Sequence, residues 1–369
     1  MIEKQQHRKL KFTKKAILVF SGIFVAFAVL ITGIVLLATR SRGFEETVAT
    51  LPFEKDESFV AVGNSVVYLD NDLLICVSAS LDVLWQKRLL LPDLKLVSRD
   101  GNVAATGSGL IQIVNSEGTH LFSTQLDGDI ISSRVCANKV AVYVEQGTGE
   151  ETLSYIISFD LSGIFLHQID VTDRYILDYG FDYDSDLLYL LELDTSGVAP
   201  ISRISTFRPE TQSMTSVKEF SDQLVDQIYI IDETVYVLGT YQLVVYTSLG
   251  DNEKELVVYG WMQQDFYLQG DPSFVYIPSN TDAFGIDIVR IIKPTGSETT
   301  INLPPDVFRV LYIEDKVYCF SQTNVFIYTN DGKFLRSLFL PFSITEVDRA
   351  FANYVFLSVG DKMYLMPLS

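Results

Sequence analysis

Histidine, cysteine and tryptophan are scarce in this chain, whose 369 residues contain three, three and two of them. Three histidines, His7, His120 and His167, leave little material for a metal or acid–base centre built from imidazoles. Three cysteines exclude a small module stapled by disulfides. We expect the three thiols to be buried and reduced, although an oxidising exterior leaves one pairing open; they are Cys76, Cys136 and Cys319.

Catalytic motifs with a known mechanism are also missing. The sequence has no Gly-x-Ser-x-Gly elbow, His-Glu-x-x-His, phosphate-binding glycine loop or Cys-x-x-Cys. Asp182–Asp186 begins like a calcium loop, but Leu187 and Leu193 stand where that loop needs glycine and glutamate. We therefore interpret this segment as a turn, and we predict no catalytic residue, no cofactor and no metal site.

Basic residues are few and unevenly placed. Residues 1–42 hold eight of them against one acid, a net charge of +7, so 20 basic and 46 acidic residues give the remainder −26. Residues 16–38 carry no charge, and a helix of this length reaches about 34 Å, enough to cross a bilayer. The pattern predicts a cytoplasmic tail at 1–15, a retained transmembrane helix at 16–38, a linker at 39–44 and an extracytoplasmic domain at 45–369.

A polar turn followed by an apolar strand recurs eight times after the linker. The first apolar residues of the copies lie 37 to 48 residues apart, at Val66, Val103, Val140, Leu187, Val235, Phe274, Val317 and Tyr354. Several copies continue into a strand that ends in a glycine turn, such as Val114–Gly118. Four strands repeated about every 40 residues indicate an all-β protein, a β-propeller of four-stranded blades.

The two ends of the repeat region predict how the ring closes. The eighth copy supplies three strands before the last residue, and an apolar segment at 45–53 directly follows the linker. We predict that this N-terminal segment is the fourth strand of the last blade, because such closure leaves no sheet edge open. This interpretation favours eight blades, with seven as the alternative.

Over residues 45–369 the repeats resemble those of WD40-like and PQQ-like β-propellers. With its basic tail, single helix and acidic repeats, the chain is similar to membrane-anchored propeller proteins of unknown function from Gram-positive anaerobes. The Gly-His and Trp-Asp pairs of WD40 repeats are absent, and Ala79–Trp85 lacks the Thr-Gly of the quinoprotein docking motif. The resemblance implies a propeller in the cell envelope, without the intracellular roles of WD40 proteins or a quinone cofactor.

Three copies have a longer connection between their second and third strands, at residues 145–152, 193–200 and 279–287. In a propeller these connections emerge on one face, where insertions often mark the binding side. The alternative is neutral drift, because surface loops lengthen at little cost in free energy. The candidate binding residues in these loops are Glu145, Thr148, Glu150, Asp194, Ser196, Ser279, Asn280, Asp282 and Phe284.

The charge of −26 argues against nucleic acid as a partner of the propeller, since like charges repel. The leading hypothesis is a non-catalytic scaffold, attached to the membrane through residues 16–38, that binds an envelope protein or a wall glycan. The alternative is an extracytoplasmic hydrolase or lyase with carboxylates on the long-loop side or in the central channel. The 46 acidic residues keep that alternative open.

Overall fold

The computed structural model describes residues 48–368, except 148, 150–151, 185, 249, 252, 269 and 282–284. This part of the chain forms 32 strands in eight four-stranded antiparallel sheets. The sheets are the blades of an eight-bladed β-propeller, and the first strand of each blade lies innermost, at the central channel. The prediction of eight blades is confirmed, and the alternative of seven is wrong.

Blades 1 to 4 follow one another along the chain. Blade 1 contains β2 (Phe59–Val62), β3 (Ser65–Asp70), β4 (Leu73–Ser78) and β5 (Val83–Arg88). Blade 2 contains β6 (Lys95–Arg99), β7 (Asn102–Gly107), β8 (Leu110–Asn115) and β9 (His120–Gln125). Blade 3 contains β10 (Asp129–Val135), β11 (Lys139–Gln146), β12 (Leu153–Asp160) and β13 (Phe165–Asp170). Blade 4 contains β14 (Tyr175–Phe181), β15 (Leu188–Asp194), β16 (Ile201–Arg208) and β17 (Ser213–Phe220).

Blades 5 to 8 complete the ring. Blade 5 contains β18 (Val225–Ile231), β19 (Thr234–Gly239), β20 (Gln242–Thr247) and β21 (Lys254–Val257). Blade 6 contains β22 (Trp261–Tyr267), β23 (Ser273–Pro278), β24 (Ile288–Ile292) and β25 (Glu298–Asn302). Blade 7 contains β26 (Val307–Ile313), β27 (Lys316–Ser321), β28 (Asn324–Thr329) and β29 (Phe334–Phe339). Blade 8 contains β30 (Glu346–Arg349), β31 (Tyr354–Val359), β32 (Lys362–Pro367) and β1 (Ala49–Glu54).

The N-terminal strand β1 closes the ring by pairing with β32. The pairing is antiparallel, with Ala49 opposite Leu365 and Thr50 opposite Tyr364. The strand covers residues 49–54, slightly later than the predicted segment at 45–53. Its buried residues Leu51 and Phe53 join a core cluster with side chains of blades 1 and 8, so closure buries apolar surface as well as a sheet edge.

The hydrophobic core lies between neighbouring blades. Val67 and Cys76 of blade 1 pack in one cluster with Leu96 and Val103 of blade 2, and similar clusters join most successive blades. The two faces of a blade are both covered, which explains why its central strands are almost continuously apolar. Burial of each such Val or Leu contributes about 1.5–3 kcal/mol.

Five innermost strands, β10, β14, β18, β22 and β26, contain a β-bulge. In each of them one residue is skipped in the pairing with the second strand of the blade. A bulge leaves the extra residue unpaired and redirects its side chain. The skipped residues are Ile131, Leu177, Asp226, Gln264 and Phe308.

Within the described chain, no helix has the length and apolar character needed to cross a membrane. The predicted tail at 1–15, transmembrane helix at 16–38 and linker at 39–44 lie outside the described residues. Those three assignments stay predictions.

Candidate functional site

The three long connections noted in the sequence all join the second and third strands of a blade. They link β11 to β12, β15 to β16 and β23 to β24. In an antiparallel blade these connections emerge on the same side as the links between blades. We call this side, with the described residues of the segments 147–152, 195–200 and 279–287, the long-loop face, and the opposite side, with the remaining hairpins, the turn face.

Two predicted loop residues lie in strands instead. Glu145 is in β11, where it pairs with Ser154, because blade 3 uses most of its insertion to lengthen both strands to eight residues. Asp194 is the last residue of β15 and lies opposite Ile201. Their assignment to loops is therefore wrong, although both still lie at the edge of the long-loop face.

The other predicted binding residues divide into two groups. Ser196, Ser279 and Asn280 lie in long loops and are exposed, as expected. The structure brings Asp194 and Ser196 together in blade 4, while Ser279 and Asn280 belong to blade 6. The remaining four lie outside the described residues: Thr148, Glu150, Asp282 and Phe284.

A groove of about 590 Å³ opens on the long-loop face of blade 4. Its walls come from the link that precedes β14, the loop after β15 and the outer strands β16 and β17. We call this site the blade-4 groove; its charged and polar walls include Arg174, Glu192, Asp194, Ser196 and Arg203.

Asp194 and Arg203 organise one wall of the blade-4 groove. Ser196 donates to Oδ1 of Asp194 from its backbone N–H, at 2.9 Å, and from its hydroxyl, at 2.6 Å. Arg203 contacts Oδ2 of Asp194 at 3.4 Å and donates from Nε to Glu219 at 2.9 Å. The two bonds from Ser196, and then the charge of Arg203, lower the pKa of Asp194. This wall is therefore charged and held in one geometry at neutral pH.

Glu192 forms the buried floor of the blade-4 groove. Arg174 donates from Nη1 to its Oε1 at 2.9 Å, and Glu192 is only 4% exposed. Its other oxygen, Oε2, has no hydrogen-bond partner among the described residues. A buried carboxylate oxygen without a donor costs about 1–3 kcal/mol, so this atom favours an additional donor.

Large apolar side chains surround the blade-4 groove. Tyr175, Met214 and Val217 line it and are 65%, 59% and 46% exposed. Single exposed apolar residues are common on protein surfaces, but a cluster beside a groove is typical of an interaction site. The groove combines this rim with paired charges, which is the composition of a protein interface.

A second cavity on the long-loop face has a volume of about 900 Å³ and lies between blades 6, 7 and 8. Its walls include Pro304, Phe308 and Thr323, and Asp306 is the one charged residue among the described residues that line it. Gly285 in the wall directly follows residues 282–284, which the structure does not describe. This cavity lacks the paired charges of the blade-4 groove.

Arginine is concentrated at the central channel, which the sequence analysis missed. The propeller has ten arginines, and four of them lie on innermost strands: Arg99, Arg134, Arg309 and Arg349. The sequence shows that arginine interrupts the first strand of these repeats. It does not show which residues these arginines bind, because the partners are distant in the sequence.

Arg99 of blade 2 reaches past blade 3 to blade 4. Its Nη1 donates to the carbonyl of Phe181 at 2.8 Å, and its Nη2 donates to the carbonyl of Asp182 at 2.7 Å. Its Nε faces Asp100 at 3.3 Å. All three nitrogens are therefore occupied, and the side chain connects two blades that are not neighbours.

Arg134, Asp178 and Tyr189 form a second polar group in the channel. Arg134 donates from Nη2 to Oδ1 of Asp178 at 3.0 Å, and Tyr189 donates its hydroxyl to Oδ2 at 3.0 Å. Arg134 also lies 5.2 Å from the centre of the Tyr179 ring. Burial raises the pKa of Tyr179 to about 12, so its hydroxyl stays neutral.

Asp265 joins blades 6, 7 and 8 on the other side of the channel. Its Oδ2 accepts the backbone N–H of Tyr312 at 2.6 Å and Nη2 of Arg349 at 2.7 Å. Arg349 also donates to the carbonyl of Tyr312 at 2.7 Å. The carboxylates Asp178 and Asp265 thus each bind an arginine.

The segment at 182–186 is a turn between β14 and β15. Asp182 is buried, its Oδ1 accepts the N–H of Leu187 at 3.0 Å, and burial raises its pKa. Its side chain therefore stabilises the turn. No group of three or more His, Cys, Asp or Glu side chains suited to a metal occurs in the described portion of the chain.

The cysteines have the environments that the sequence predicts, and the two described histidines lie at the outer edge of the ring. All three cysteines are buried and free, and burial raises the pKa of the Cys76 and Cys319 thiols. His120 and His167 lie on the outermost strands β9 and β13. His167 is half-buried beside Phe207, and burial lowers its pKa.

A family model described as "Family of unknown function (DUF5711)" matches residues 44–334, which is most of the chain. The chain belongs to this family. The DUF5711 match includes the whole of blade 4 with its groove and ends at the start of β29. A comparison with curated protein sequences finds no match.

Solved structures similar to this DUF5711 protein are propellers from different sources. BamB from Moraxella catarrhalis aligns with TM-score 0.52 and 12% identity over 86% of this chain and 96% of that chain. The computationally designed Ika8 protein aligns with TM-score 0.56 and 12% identity over 87% and 97%. The WD40 domain of SCAP from fission yeast aligns with TM-score 0.55 and 9% identity over 87% and 97%. At these identities the likeness shows the fold alone.

Proposed function

We propose that this DUF5711 protein is a membrane-anchored, extracytoplasmic scaffold that binds an envelope protein through the blade-4 groove without catalysing a reaction. The observation that carries the proposal is the groove itself, where exposed apolar side chains surround ordered charge pairs. A rigid ring of eight blades holds such a surface in a fixed shape, which lowers the entropic cost of binding.

The groove favours a protein over a glycan as its partner. Tyr175 and Met214 offer apolar surface of the kind enriched at protein interfaces. The unpartnered Oε2 of Glu192 fits a donor such as a lysine or arginine of the partner. The charge of −26 on the propeller would also speed the approach of a basic surface.

The non-catalytic part of the proposal is supported by the channel carboxylates. Asp178 and Asp265 accept charge-assisted hydrogen bonds from arginines, which hold each carboxylate in one position. Such carboxylates suit structural pairing better than proton transfer. The proposed location outside the cell is supported by the charge-free residues 16–38 and the basic residues before them.

The location can be tested with an introduced cysteine, because all three native thiols are buried. In Ser196→Cys, a membrane-impermeant maleimide added to intact cells should label the propeller. A matched variant, Gln5→Cys in the predicted cytoplasmic tail, should be labelled only after lysis. Labelling of residue 5 but not residue 196 on intact cells would reverse the proposed topology.

The partner can be tested with a photo-crosslinking amino acid at residue 196 of the full chain in its native membrane. We expect one adduct of defined mass from this position and none from residue 162, an exposed turn residue on the opposite face. Met214→Glu should abolish the adduct while leaving the urea midpoint unchanged, since Met214 is exposed. Equal crosslinking from both positions, or an adduct that survives Met214→Glu, contradicts the proposal.

A further inference from the structure

The central channel contains a cavity of about 570 Å³ that the proposed function does not use. Innermost strands of blades 2 to 6 form its walls, which extend along the channel from Asp226, near the long-loop end of β18, to Tyr183, in the turn between β14 and β15. This volume lies within the range of about 300–1,000 Å³ that is usual for small-molecule sites. The cavity shares no lining residue with the blade-4 groove and is therefore a separate site.

Aromatic and aliphatic side chains form the apolar wall of this cavity. The rings of Tyr229 and Phe266 pack with centroids 4.1 Å apart, and burial raises the pKa of Tyr229, which stays neutral. Tyr183 is half exposed, and its backbone N–H donates to the carbonyl of Ile230 at 2.8 Å, which fixes the turn that carries it. Leu177, redirected by the bulge in β14, is also half exposed. Apolar surface of this kind would be covered by the flat apolar face of a ligand.

Asp226 and Gln227 form the polar part of the cavity wall, on the strand β18 that also carries Tyr229. Asp226 is the bulge residue of β18, and its carboxylate has no hydrogen bond or ion pair with any residue that the structure describes. The side-chain oxygen of Gln227 accepts the Tyr229 hydroxyl at 2.6 Å, which leaves the amide nitrogen to donate. A carboxylate acceptor therefore stands beside an amide donor.

The charges around the cavity exclude a strongly ionic ligand. The guanidinium nitrogens of Arg99 bind two carbonyls and Asp100, and Arg134 is paired with Asp178. An anion would find no unoccupied cation here and would meet the carboxylate of Asp226. A cation would lie near two guanidinium groups, so both signs of charge are unfavourable.

The geometry points to a neutral saccharide unit as the ligand of this channel cavity. Its ring would rest on the faces of Tyr183 and Phe266, while neighbouring hydroxyls donate to Asp226 and accept from the amide of Gln227. A saccharide has this combination of one apolar face and an edge of donors and acceptors. The inference goes beyond the proposed protein-binding role and does not depend on it.

Isothermal titration calorimetry on the full chain tests the inference, in a zwitterionic detergent because sugar-headed detergents would compete. The neutral probes are chitobiose, cellobiose and maltose, and the charged comparators are glucosamine and glucose 6-phosphate. We expect at least one neutral disaccharide to bind in a saturable way, and the charged comparators to bind at least 10-fold more weakly. Saturable binding of no neutral probe up to about 10 mM, or tighter binding of a charged comparator, overturns the inference.

Three variants show whether binding occurs in the channel. Asp226→Asn keeps the shape of the side chain but removes the charge, and we expect at least 10-fold weaker binding. Tyr183→Ala removes a stacking surface and should weaken binding about 5-fold. Tyr241→Ala removes a half-exposed aromatic ring outside the channel and should leave affinity within about 2-fold. Unchanged affinity in both channel variants overturns the inference, whatever crosslinking at residue 196 reveals.

Discussion

Individual carboxylates differ widely in how much they stabilise this ring. Asp265 is expected to contribute strongly. It is 8% exposed and accepts hydrogen bonds from the backbone of blade 7 and from Arg349 of blade 8. Removing it leaves the backbone N–H of Tyr312 without an acceptor and takes away the carboxylate that pairs with Arg349. By contrast, Glu298 binds Arg290 on the outer surface, where water screens the pair.

We expect Asp265→Ala to lower the free energy of unfolding by about 2–4 kcal/mol, because it breaks a buried pair. Glu298→Gln, the matched control, should cost about 0.2–1 kcal/mol. Urea unfolding followed by tryptophan fluorescence measures both. Equal losses in the two variants would show that the link between blades 6, 7 and 8 contributes nothing specific.

Asp226 has the opposite effect, since its exposed carboxylate is partly desolvated by the strands around it and no described donor offsets this desolvation. Burial raises its pKa, so the folded state holds this proton more tightly than the unfolded chain. Its stability contribution is therefore lost as pH rises from the unfolded value of about 3.9 through the raised folded value. Asp226→Asn should increase stability at pH 7 by up to about 0.5 kcal/mol, with the gain shrinking toward pH 4.

Urea midpoints at pH 4.5, 6 and 7.5 test this pH dependence. Asp222→Asn, at an exposed position in the preceding link, is the control and should change none of them. A midpoint of Asp226→Asn below that of the natural chain at pH 7.5 would mean that a donor stabilises this carboxylate. Residues at ligand sites commonly lower the stability of the folded protein, and a stabilising effect of Asp226→Asn would agree with a binding role for Asp226.

At the scale of the strand, some of the outer turns pack against the preceding blade. Gly118, in the turn between β8 and β9, has φ +78° and lies against Trp85 of blade 1. A Cβ there would be 2.6 Å from Cδ2 of Trp85, whose indole N–H donates to the carbonyl of Ser116 at 2.8 Å. The hydrogen bond keeps the ring from moving away. Glycine is therefore required for both its backbone conformation and its size.

Gly118→Ala should lower the free energy of unfolding by about 2–4 kcal/mol, from the positive φ and the overlap with Trp85. Gly250 has φ +88° in the equivalent turn of blade 5, and a Cβ there would meet no described atom within 4 Å. Gly250→Ala should therefore cost only about 1 kcal/mol. Urea midpoints of the two variants check the difference, and a larger loss for Gly250→Ala would contradict it.

Elements that depend on residues close together in the sequence could be predicted from it. The spacing of 11 residues from Val103 to Val114 corresponds to a hairpin with a two-residue connection, in which Val103 pairs directly with Val114. Local turn chemistry and alternation determine such hairpins. The bulge at Asp226 and the bond from Arg99 to Phe181, 82 residues away, depend on how blades meet around the channel. Only part of the blade-4 groove could be predicted from the sequence, because Arg174 and Met214 lie outside the long loop.

The whole ring depends on one non-covalent junction between β1 and β32. We expect deletion of residues 362–369 to abolish cooperative unfolding, because it removes β32 and exposes Leu51 and Phe53. The readouts are the urea profile and binding of a hydrophobic dye. As a control, replacing residues 195–200 by a two-residue turn, as in most other blades, should retain a single transition. A truncated chain with the natural midpoint would show that the junction is dispensable.

The pairing of β1 with β32 also determines when the strands of a newly synthesised chain can pair. Glu54 pairs with Lys362, roughly 310 residues later. At about 5–20 residues per second, ribosomes need about 15–60 s to make that stretch. Throughout this interval β1 has no partner strand, and the charged run at residues 54–57, which begins at its last residue, guards against premature association. The strand β1 is thus made early but is among the last to be paired.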